Sequence, residues 1–163
     1  MANGTTGRRI MVDMSMTLLH HGHIRLLRRA RETGHAVVVA LTTDEEVLAH
    51  KGYNPELSYE HRKEILDAIK YVDEVVPSPW LIDDAFMDRH ECEFLAHGSD
   101  NFNHVRPERL VLFERTGGIS SSDIRGRVLD CLIAKNLKNK PDSGSDRIAR
   151  ILIDAIKDEF TLE

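Results

Sequence analysis

The sequence predicts an α/β fold built on a central parallel β-sheet. Short apolar runs alternate with segments whose apolar residues recur at helical spacing, which is the pattern of a parallel sheet covered by helices. The best candidate strand, residues 36–41, reads AVVVAL and is apolar throughout, as expected of a strand covered on both faces. With 163 residues, the chain has the common size of one compact domain.

The first four elements are predicted from periodicity and from the residues that bound each segment. Residues 10–14 form an apolar strand. Residues 24–31 carry apolar side chains at helical spacing, and Gly34 provides a C-terminal stop. The AVVVAL strand follows directly, and Thr43 or Asp44 then caps a short helix that runs to about residue 49.

The second half of the domain is predicted by the same signals. Gly52, Asn54 and Pro55 predict a loop over residues 51–56, and Ser58 is a suitable cap for the helix that follows. The remaining strands are predicted at 72–76, 94–97 and 109–113, and the remaining helices at 59–71, 83–90 and 120–132, the last of them capped by the serines at 120–122.

The composition turns polar after residue 134. Residues 9–134 are therefore predicted as one domain, residues 135–146 (KNLKNKPDSGSD) as a linker and residues 147–163 as a short C-terminal helix. This helix is amphipathic, and it either docks on its own domain or contacts a second subunit. Its apolar residues are Ile148, Ile151, Leu152, Ala155 and Ile156.

Charge and cysteine usage exclude several classes of protein. A net charge of -5 gives no general attraction for nucleic acid or an anionic membrane, because both require a basic surface. Cys92 and Cys131 lie in no CxxC or CxxH pattern, so neither a disulfide framework nor a structural zinc site is predicted. With no signal peptide and no membrane-spanning run in the sequence, we expect a reduced cytoplasmic domain without nucleic-acid or membrane partners.

The first candidate site is the run His20-His21-Gly22-His23, which follows the first strand and opens a helix. His20 and His23 are three residues apart, so both side chains can reach one side of the helix start, and Gly22 lets a ligand approach the backbone. A helix N-terminus attracts phosphate, and two imidazoles can donate hydrogen bonds to phosphate charge that rises in a transition state. Taken alone, the pattern also fits a surface histidine cluster or an incidental metal site.

The second candidate site, residues 115–122 (RTGGISSS), lies between the last strand and the last core helix. Its glycines free the backbone to wrap a phosphate, its serines and amides are neutral donors, and Arg115 supplies charge. The serine run alone is an ordinary helix cap. Two anion-binding helix starts at the carboxyl ends of parallel strands nevertheless predict one nucleotide in the crevice between them. Neither GxxxxGKS/T nor GxGxxG occurs, so a Walker-type NTPase and a dinucleotide-dependent dehydrogenase are not supported.

With these stretches in view, the sequence resembles the HxGH nucleotidylyltransferase superfamily, and within it the cytidylyltransferase family, especially bacterial glycerol-3-phosphate cytidylyltransferases. The resemblance is carried by LLHHGHIRLLRRA, ALTTDE, SYEHRKEILDAIKYVDEVVP, HGSDN and RTGGISSSDI, in the family's order and spacing from about residue 9 to residue 127. It implies a three-layer Rossmann-like nucleotidylyltransferase fold with a central parallel sheet, here with a C-terminal helical extension.

The resemblance also implies roles for individual residues. His20 and His23 would contact the α- and β-phosphates, and Arg115 would hold the triphosphate. Lys51 and Arg62 would reach the phosphates or the acceptor, although an arginine inside a charged helical segment is otherwise typical of a solvated face. The implied catalytic residues are thus His20, His23, Lys51 and Arg115, and the implied nucleotide-binding residues are Met14, Ser15, Met16, Gly22, Gly98, Asp100, Arg115, Thr116, Ile119, Ser120, Ser121 and Ser122.

One stretch departs from the family pattern. Between the first strand and the histidines the family usually has Gly-Thr/Ser-Phe-Asp, where this chain has Met14-Ser15-Met16-Thr17. The change replaces a permissive glycine and removes a carboxylate. The adjoining Asp13 is an alternative acid, but neighbouring strand residues point to opposite faces. Asn101 also stands where a tryptophan is common.

The predicted reaction is the transfer of CMP from CTP to a small phosphorylated alcohol such as glycerol 3-phosphate. A phosphate monoester has a second pKa of about 6, so the acceptor is already an anionic nucleophile and needs alignment more than a general base. Mg²⁺ is expected on the triphosphate with few protein ligands. A homodimer is expected because Lys70-Tyr71-Val72-Asp73 resembles an interface stretch of dimeric relatives. The alternatives are phosphoethanolamine, phosphocholine or a phosphonate as acceptor, ATP as nucleotide, and a non-catalytic nucleotide-binding module.

Overall fold

The computed structural model describes residues 7–100, 102–137 and 151. The chain divides into two compact units, the first ending at Gly117 and the second beginning at Gly118. This division falls at the glycine pair before the last core helix, and the predicted boundary at residue 134 stays a prediction of the sequence. Apart from Ile151, which is helical and exposed, the predicted C-terminal helix lies outside the described residues, as does the predicted linker from residue 138 onward.

The first unit is built on a five-stranded sheet in which every strand pairing is parallel, as the sequence predicts. Its strands are β1 (Arg9–Met14), β2 (Ala36–Thr42), β3 (Glu74–Ser78), β4 (Phe94–Gly98) and β5 (Leu110–Phe113). They lie in the order β3-β2-β1-β4-β5, with β1 in the centre. Because the strand order reverses beside β1, β1 and β4 flank the switch point at which open α/β sheets bind ligands.

Helices follow the strands at the predicted places, with shifted ends. The first unit contains α1 (His21–Glu32), α2 (Asp44–Lys51), α3 (Tyr59–Asp67), α4 (Asp84–Arg89) and a 3-10 turn at Pro107–Arg109, and the second unit contains α5 (Ser121–Leu137). Thr43 and Ser58 cap α2 and α3 with their hydroxyl oxygens, as predicted. α5 extends to Leu137, past its predicted end near residue 132.

Two of the helix ends differ from the prediction in a way that affects the site. Lys51 was expected in a loop, but it forms the last residue of α2, and Gly52 ends the helix in the left-handed conformation with φ 75°. α3 ends at Asp67, short of its predicted end near residue 71. Consecutive turns then lead to Asp73, whose carboxylate accepts a hydrogen bond of 2.7 Å from the backbone of Val37 and thereby fixes the start of β3.

Apolar side chains cover both faces of the sheet. Ile10 and Val12 of β1 pack with Leu27 of α1 and Leu66 of α3 in one buried cluster. Met11 lies on the other face, in a second cluster that includes residues of α4. This alternation along β1 gives the helix–sheet–helix layering of the predicted fold. Among the residues that the structure describes, no helix is long and apolar enough to cross a membrane.

Candidate active site

His20 and His23 lie against each other at the start of α1. His20 is the N-cap residue, with an extended backbone (φ -145°, ψ 169°). The two rings are stacked, with centroids 3.8 Å apart and 27° between their planes. The backbone N–H of His20 donates to Nδ1 of His23 at 3.3 Å. Since Nδ1 of His23 accepts a hydrogen bond, the proton of the neutral ring lies on Nε2, which is left as a donor.

His23 is held in its neutral form. Burial, followed by the proximity of His20, lowers the pKa of His23 from its ordinary value to about 3. At neutral pH this ring therefore contributes a hydrogen-bond donor and no positive charge. Such a donor can stabilise charge that develops on a phosphate without being protonated first.

His21 has a different environment although it lies between these two residues. Its ring centroid is 6.5 Å from that of His20, with 68° between the planes, and the residue is exposed. Gly22, the third residue of the motif, lies in the first turn of α1. The structure thus brings His20 and His23 together and leaves His21 on the surface.

The segment that leads from β1 to His20 is buried and partly strained. Met14 occupies an ordinary strand position opposite Leu41, so the glycine that the family usually has there is not required by the backbone here. The left-handed residue is Met16, with φ 41° and a side chain that is 1% exposed. A non-glycine residue in this region costs on the order of 1 kcal/mol or more, so the surrounding contacts must hold it in place.

Arg62 supplies one of these contacts. Its side chain is fully buried, and its guanidinium donates to the backbone carbonyls of Ser15, Thr42 and Leu57 and to the carboxylate of Asp44. The interpretation of Arg62 as a solvated surface residue is therefore wrong. Its acceptor-binding role stays a prediction, because the guanidinium as placed is directed at protein atoms. Asp44, which pairs with Nη2 of Arg62 at 2.6 Å, was not recognised from the sequence as its partner.

A second polar cluster lies at the switch point between β1 and β4. Oδ2 of Asp13 accepts a hydrogen bond of 2.8 Å from Asn103 and lies 3.5 Å from Nε2 of His97. Oδ1 of Asp13 is buried without a hydrogen-bond partner. Burial raises the pKa of Asp13, and His97 and Asn103 oppose that rise. Sequence reasoning considered Asp13 but missed His97 and Asn103. The pairing of β1 with β4 brings Asp13 beside His97, and Asn103 reaches Asp13 from the loop after β4.

Gly98, Asp100 and Arg115 form a third group at the end of β4. Nη1 of Arg115 lies 2.7 Å from Oδ2 of Asp100 in an ion pair. A Cβ atom at position 98 would lie 2.6 Å from Oδ1 of Asp100 and 3.3 Å from Cγ of Arg115, so a larger residue there would displace the Asp100 side chain from this position. All three residues were predicted from the sequence, and the structure places them in contact.

Lys51 lies at the end of α2 beside Trp80, a residue that the sequence analysis did not single out. Nζ of Lys51 is 5.8 Å from the centroid of the Trp80 ring, close enough for a cation–π interaction. Trp80 comes two residues after the end of β3, so this contact lies at the carboxyl edge of the sheet.

In the second unit, Ser120 caps α5. Its hydroxyl oxygen accepts from the backbone N–H of Asp123 at 3.0 Å and donates to the carboxylate of Asp123 at 2.8 Å. Ser121 and Ser122 form the first turn, and Ile119 precedes the cap. Arg127 donates to the carbonyl of Gly118 at 2.9 Å, so the glycine loop and the helix form one local structure. Thr116 lies at the end of the first unit and is half-buried. The predicted helix cap is confirmed.

Neither the carboxylates nor the thiols form a metal site of their own in the described part of the chain. No three His, Cys, Asp or Glu side chains are grouped there so as to hold a metal ion. Burial raises the pKa of Cys92 to about 11, so this thiol stays protonated, and Cys131 is exposed.

Paired imidazoles at a helix start after the central strand of a parallel sheet, beside its switch point, define the HxGH nucleotidylyltransferase superfamily. A family comparison carries the assignment further. The chain belongs to the cytidylyltransferase-like family, whose model matches residues 15–127.

Two relatives differ in how much of their length the chain represents. It is 36% identical over 132 residues to ethanolamine-phosphate cytidylyltransferase of Mus musculus, covering 74% of this chain but 32% of that protein. It is 37% identical over 128 residues to glycerol-3-phosphate cytidylyltransferase of Bacillus subtilis, covering 74% of this chain and 97% of that protein. The chain thus spans about a third of the ethanolamine-phosphate relatives and nearly all of the glycerol-3-phosphate relative.

A solved structure supports the fold. The crystal structure of the lipopolysaccharide core biosynthesis protein from Thermoplasma volcanium is similar with a TM-score of 0.57 at 18% sequence identity. The match covers 68% of this chain and 98% of that one.

Proposed function

We propose that this protein transfers CMP from CTP to a small phosphorylated alcohol and releases pyrophosphate. The observation that carries the proposal is the stacked His20–His23 pair at the start of α1, in a chain of the cytidylyltransferase-like family. Similarity to both glycerol-3-phosphate and ethanolamine-phosphate cytidylyltransferases supports the nucleotide and the phosphorylated acceptor.

In the proposed reaction, an oxygen of the acceptor phosphate attacks the α-phosphorus of CTP. The new P–O bond forms as the bond between the α-phosphorus and the bridging oxygen breaks, and pyrophosphate leaves with the electron pair. Nε2–H of His23 is a neutral donor for this developing charge, and His20 stacks beside it. Arg115 and Lys51 are proposed to supply positive charge, and the ISSS helix start of α5 is proposed to supply amide and hydroxyl donors.

Mg²⁺ is proposed to accompany the triphosphate. This ion favours phosphate oxygens and keeps several waters, so it needs few protein ligands. Bound there, it would neutralise charge on the leaving pyrophosphate. At the switch point, His97 contacts both Asp13 and Asp100, but these contacts give no three-ligand metal site among the described residues.

We propose glycerol 3-phosphate as the leading acceptor, because the chain is 37% identical over 128 residues to a glycerol-3-phosphate cytidylyltransferase and its motifs resemble those of the bacterial enzymes. A specific observation favours phosphoethanolamine as the second candidate. The Oδ1 atom of Asp13 is buried without a partner, and an ammonium group would satisfy it and favour the ionised carboxylate. The homodimer and the cytoplasmic location stay predictions of the sequence.

Pyrophosphate release with each nucleotide and acceptor in turn tests the proposal. CTP should exceed ATP in kcat/KM by at least about 100-fold, because a site that hydrogen-bonds one base leaves polar groups unpaired with another. Comparable rates with ATP would contradict the cytidylyl assignment, and no release with any acceptor would contradict catalysis.

Asp13→Asn separates the two acceptors. It should raise KM for phosphoethanolamine by about tenfold or more if Asp13 contacts the ammonium group, since a charged hydrogen bond is lost. It should leave the KM for glycerol 3-phosphate little changed. Asp67→Asn, which alters an exposed carboxylate on α3, is the matched control. Equal effects of Asp13→Asn on both acceptors would remove the argument for phosphoethanolamine.

A further inference from the structure

We propose that Trp80 is a positioning residue for Lys51. Its indole packs against α2 and holds the Lys51 ammonium at the carboxyl edge of the sheet, where the ammonium can contact a substrate phosphate. The inference rests on the proposed function, because it takes Lys51 as a phosphate ligand. The structure brings Lys51 to the Trp80 ring, with Nζ 5.8 Å from its centroid.

Trp80 is fixed to α2 at several points. The backbone N–H of Trp80 donates to the carboxylate of Glu46 at 2.9 Å. The ring of His50 stacks on the indole, with centroids 4.9 Å apart and 10° between the planes. Just before Trp80, the carbonyl of Ser78 accepts from the backbone N–H of Thr43, the cap of α2, at 3.3 Å. The indole is therefore held in a defined position relative to both ends of the helix.

The contact with Trp80 restrains the Lys51 side chain. It is the last residue of α2, and its ammonium group sits on a flexible four-carbon stem that loses about 2 kcal/mol of rotamer entropy when it is fixed. The Trp80 ring, 5.8 Å away, attracts the ammonium through its π face. The indole carries no formal charge, so this contact does not itself neutralise the ammonium.

Lys63 is the control lysine for this inference. It is an exposed lysine whose Nζ lies 2.6 Å from the carboxylate of Asp67, one helical turn away. Its charge is directed to a fixed anion on the same helix. Lys63 therefore provides a control for the loss of one lysine charge at a place where no role in phosphate binding is proposed.

A double-mutant cycle tests the inference. Trp80→Leu, Trp80→Phe, Lys51→Met and the Trp80→Leu/Lys51→Met double variant are compared with the wild type and with Lys63→Met. Binding of inorganic triphosphate with Mg²⁺ is measured by titration calorimetry, and kcat and KM for CTP are measured by pyrophosphate release. Binding of triphosphate requires no turnover, so this arm remains informative if the proposed function fails.

We expect Lys51→Met to weaken triphosphate binding by about tenfold or more, since a charge-assisted hydrogen bond is lost. Trp80→Leu should weaken it by about two- to fivefold, which corresponds to the strength of a partly exposed cation–π contact, and Trp80→Phe should retain most of the affinity. In the Lys51→Met background, Trp80→Leu should have no further effect. Lys63→Met should bind like the wild type.

The same cycle contains the results that would overturn the inference. Equal effects of Trp80→Leu with and without Lys51 would mean that Trp80 acts by itself, and unchanged binding by Lys51→Met would remove Lys51 from the phosphate site. If Trp80→Leu does not fold, Trp80→Phe and the fluorescence of Trp80, the single tryptophan of the chain, decide the point. Lys51→Met must then change the Trp80 emission and abolish its response to triphosphate. Triphosphate binding without pyrophosphate release by the wild type would contradict the proposed function alone.

Discussion

Acidification should lower the free energy of unfolding of the protein through protonation of His23. The pKa of His23 is about 3 in the folded chain, compared with 6.5 for an unperturbed histidine. Because the folded-state pKa is lowered, the unfolded chain binds more protons between these two values, and stability is lost as the pH falls below 6.5. From pH 7 to pH 5 the expected loss in the free energy of unfolding from this one ring is about 2 kcal/mol.

The measurement is a comparison of urea unfolding, followed by circular dichroism, for the wild type and His23→Asn at pH 7, 6 and 5. The quantity to compare between the two proteins is the change in unfolding free energy with pH, because other groups titrate in both. Asp13, whose pKa is raised by burial, acts in the opposite direction as it takes up a proton in the folded state. The wild type should lose about 2 kcal/mol more than His23→Asn over this range. His21→Asn, at the exposed histidine, should behave as the wild type does.

A difference between wild type and His23→Asn that stays constant from pH 7 to pH 5 would refute the reasoning. It would mean that His23 takes up its proton in the folded chain as readily as in the unfolded chain. Burial and the proximity of His20 would then not hold the His23 ring in its neutral form.

Three further predictions follow from the same structure. His20→Ala should lower kcat by at least about 100-fold, as expected when a donor to transition-state charge is lost. His21→Ala should retain near wild-type kcat. Similar losses of kcat in both variants would contradict the assignment of His20 to the reaction. Arg62→Met should lower the free energy of unfolding by about 3 kcal/mol or more, since it leaves the buried partners of the guanidinium without a donor. Arg28→Met, at an exposed arginine, is the control and should lower it far less. An equally small loss of unfolding free energy in both variants would contradict the buried position of Arg62. Sedimentation should show a dimer at micromolar concentration, and a monomer would remove the homodimer prediction.

The fold was predictable because its strands and caps are local signals. The AVVVAL run and the caps at Thr43 and Ser58 each depend on residues within a few positions, and the structure places all of them as expected. The ends of α2 and α3 were less predictable, since helix ends depend on turns and on long-range contacts such as the hydrogen bond that the Val37 backbone N–H donates to the carboxylate of Asp73.

The site was predictable where the residues lie in one continuous motif. His20 and His23 are joined by a single helix start, so their spacing alone indicated that they meet. Arg62, however, contacts carbonyls that lie 5 to 47 positions away in the chain, and no periodicity indicates such a set. The cluster of Asp13, His97 and Asn103 likewise depends on the pairing of two strands that are far apart in sequence and on the loop that follows the second of them. Local pattern therefore identified the histidine motif, while tertiary pairing determined its buried surroundings.

The division of the chain at Gly117 and Gly118 gives each unit its own spectroscopic handle. Trp80, the single tryptophan, belongs to the first unit, and Cys131, an exposed thiol, belongs to the second. The other cysteine, Cys92, is buried and stays protonated, so a maleimide dye should react at Cys131 alone. Energy transfer from the native indole to that dye would then report any change in the distance between Trp80 and Cys131 when CTP is added. No residue would have to be replaced for this measurement.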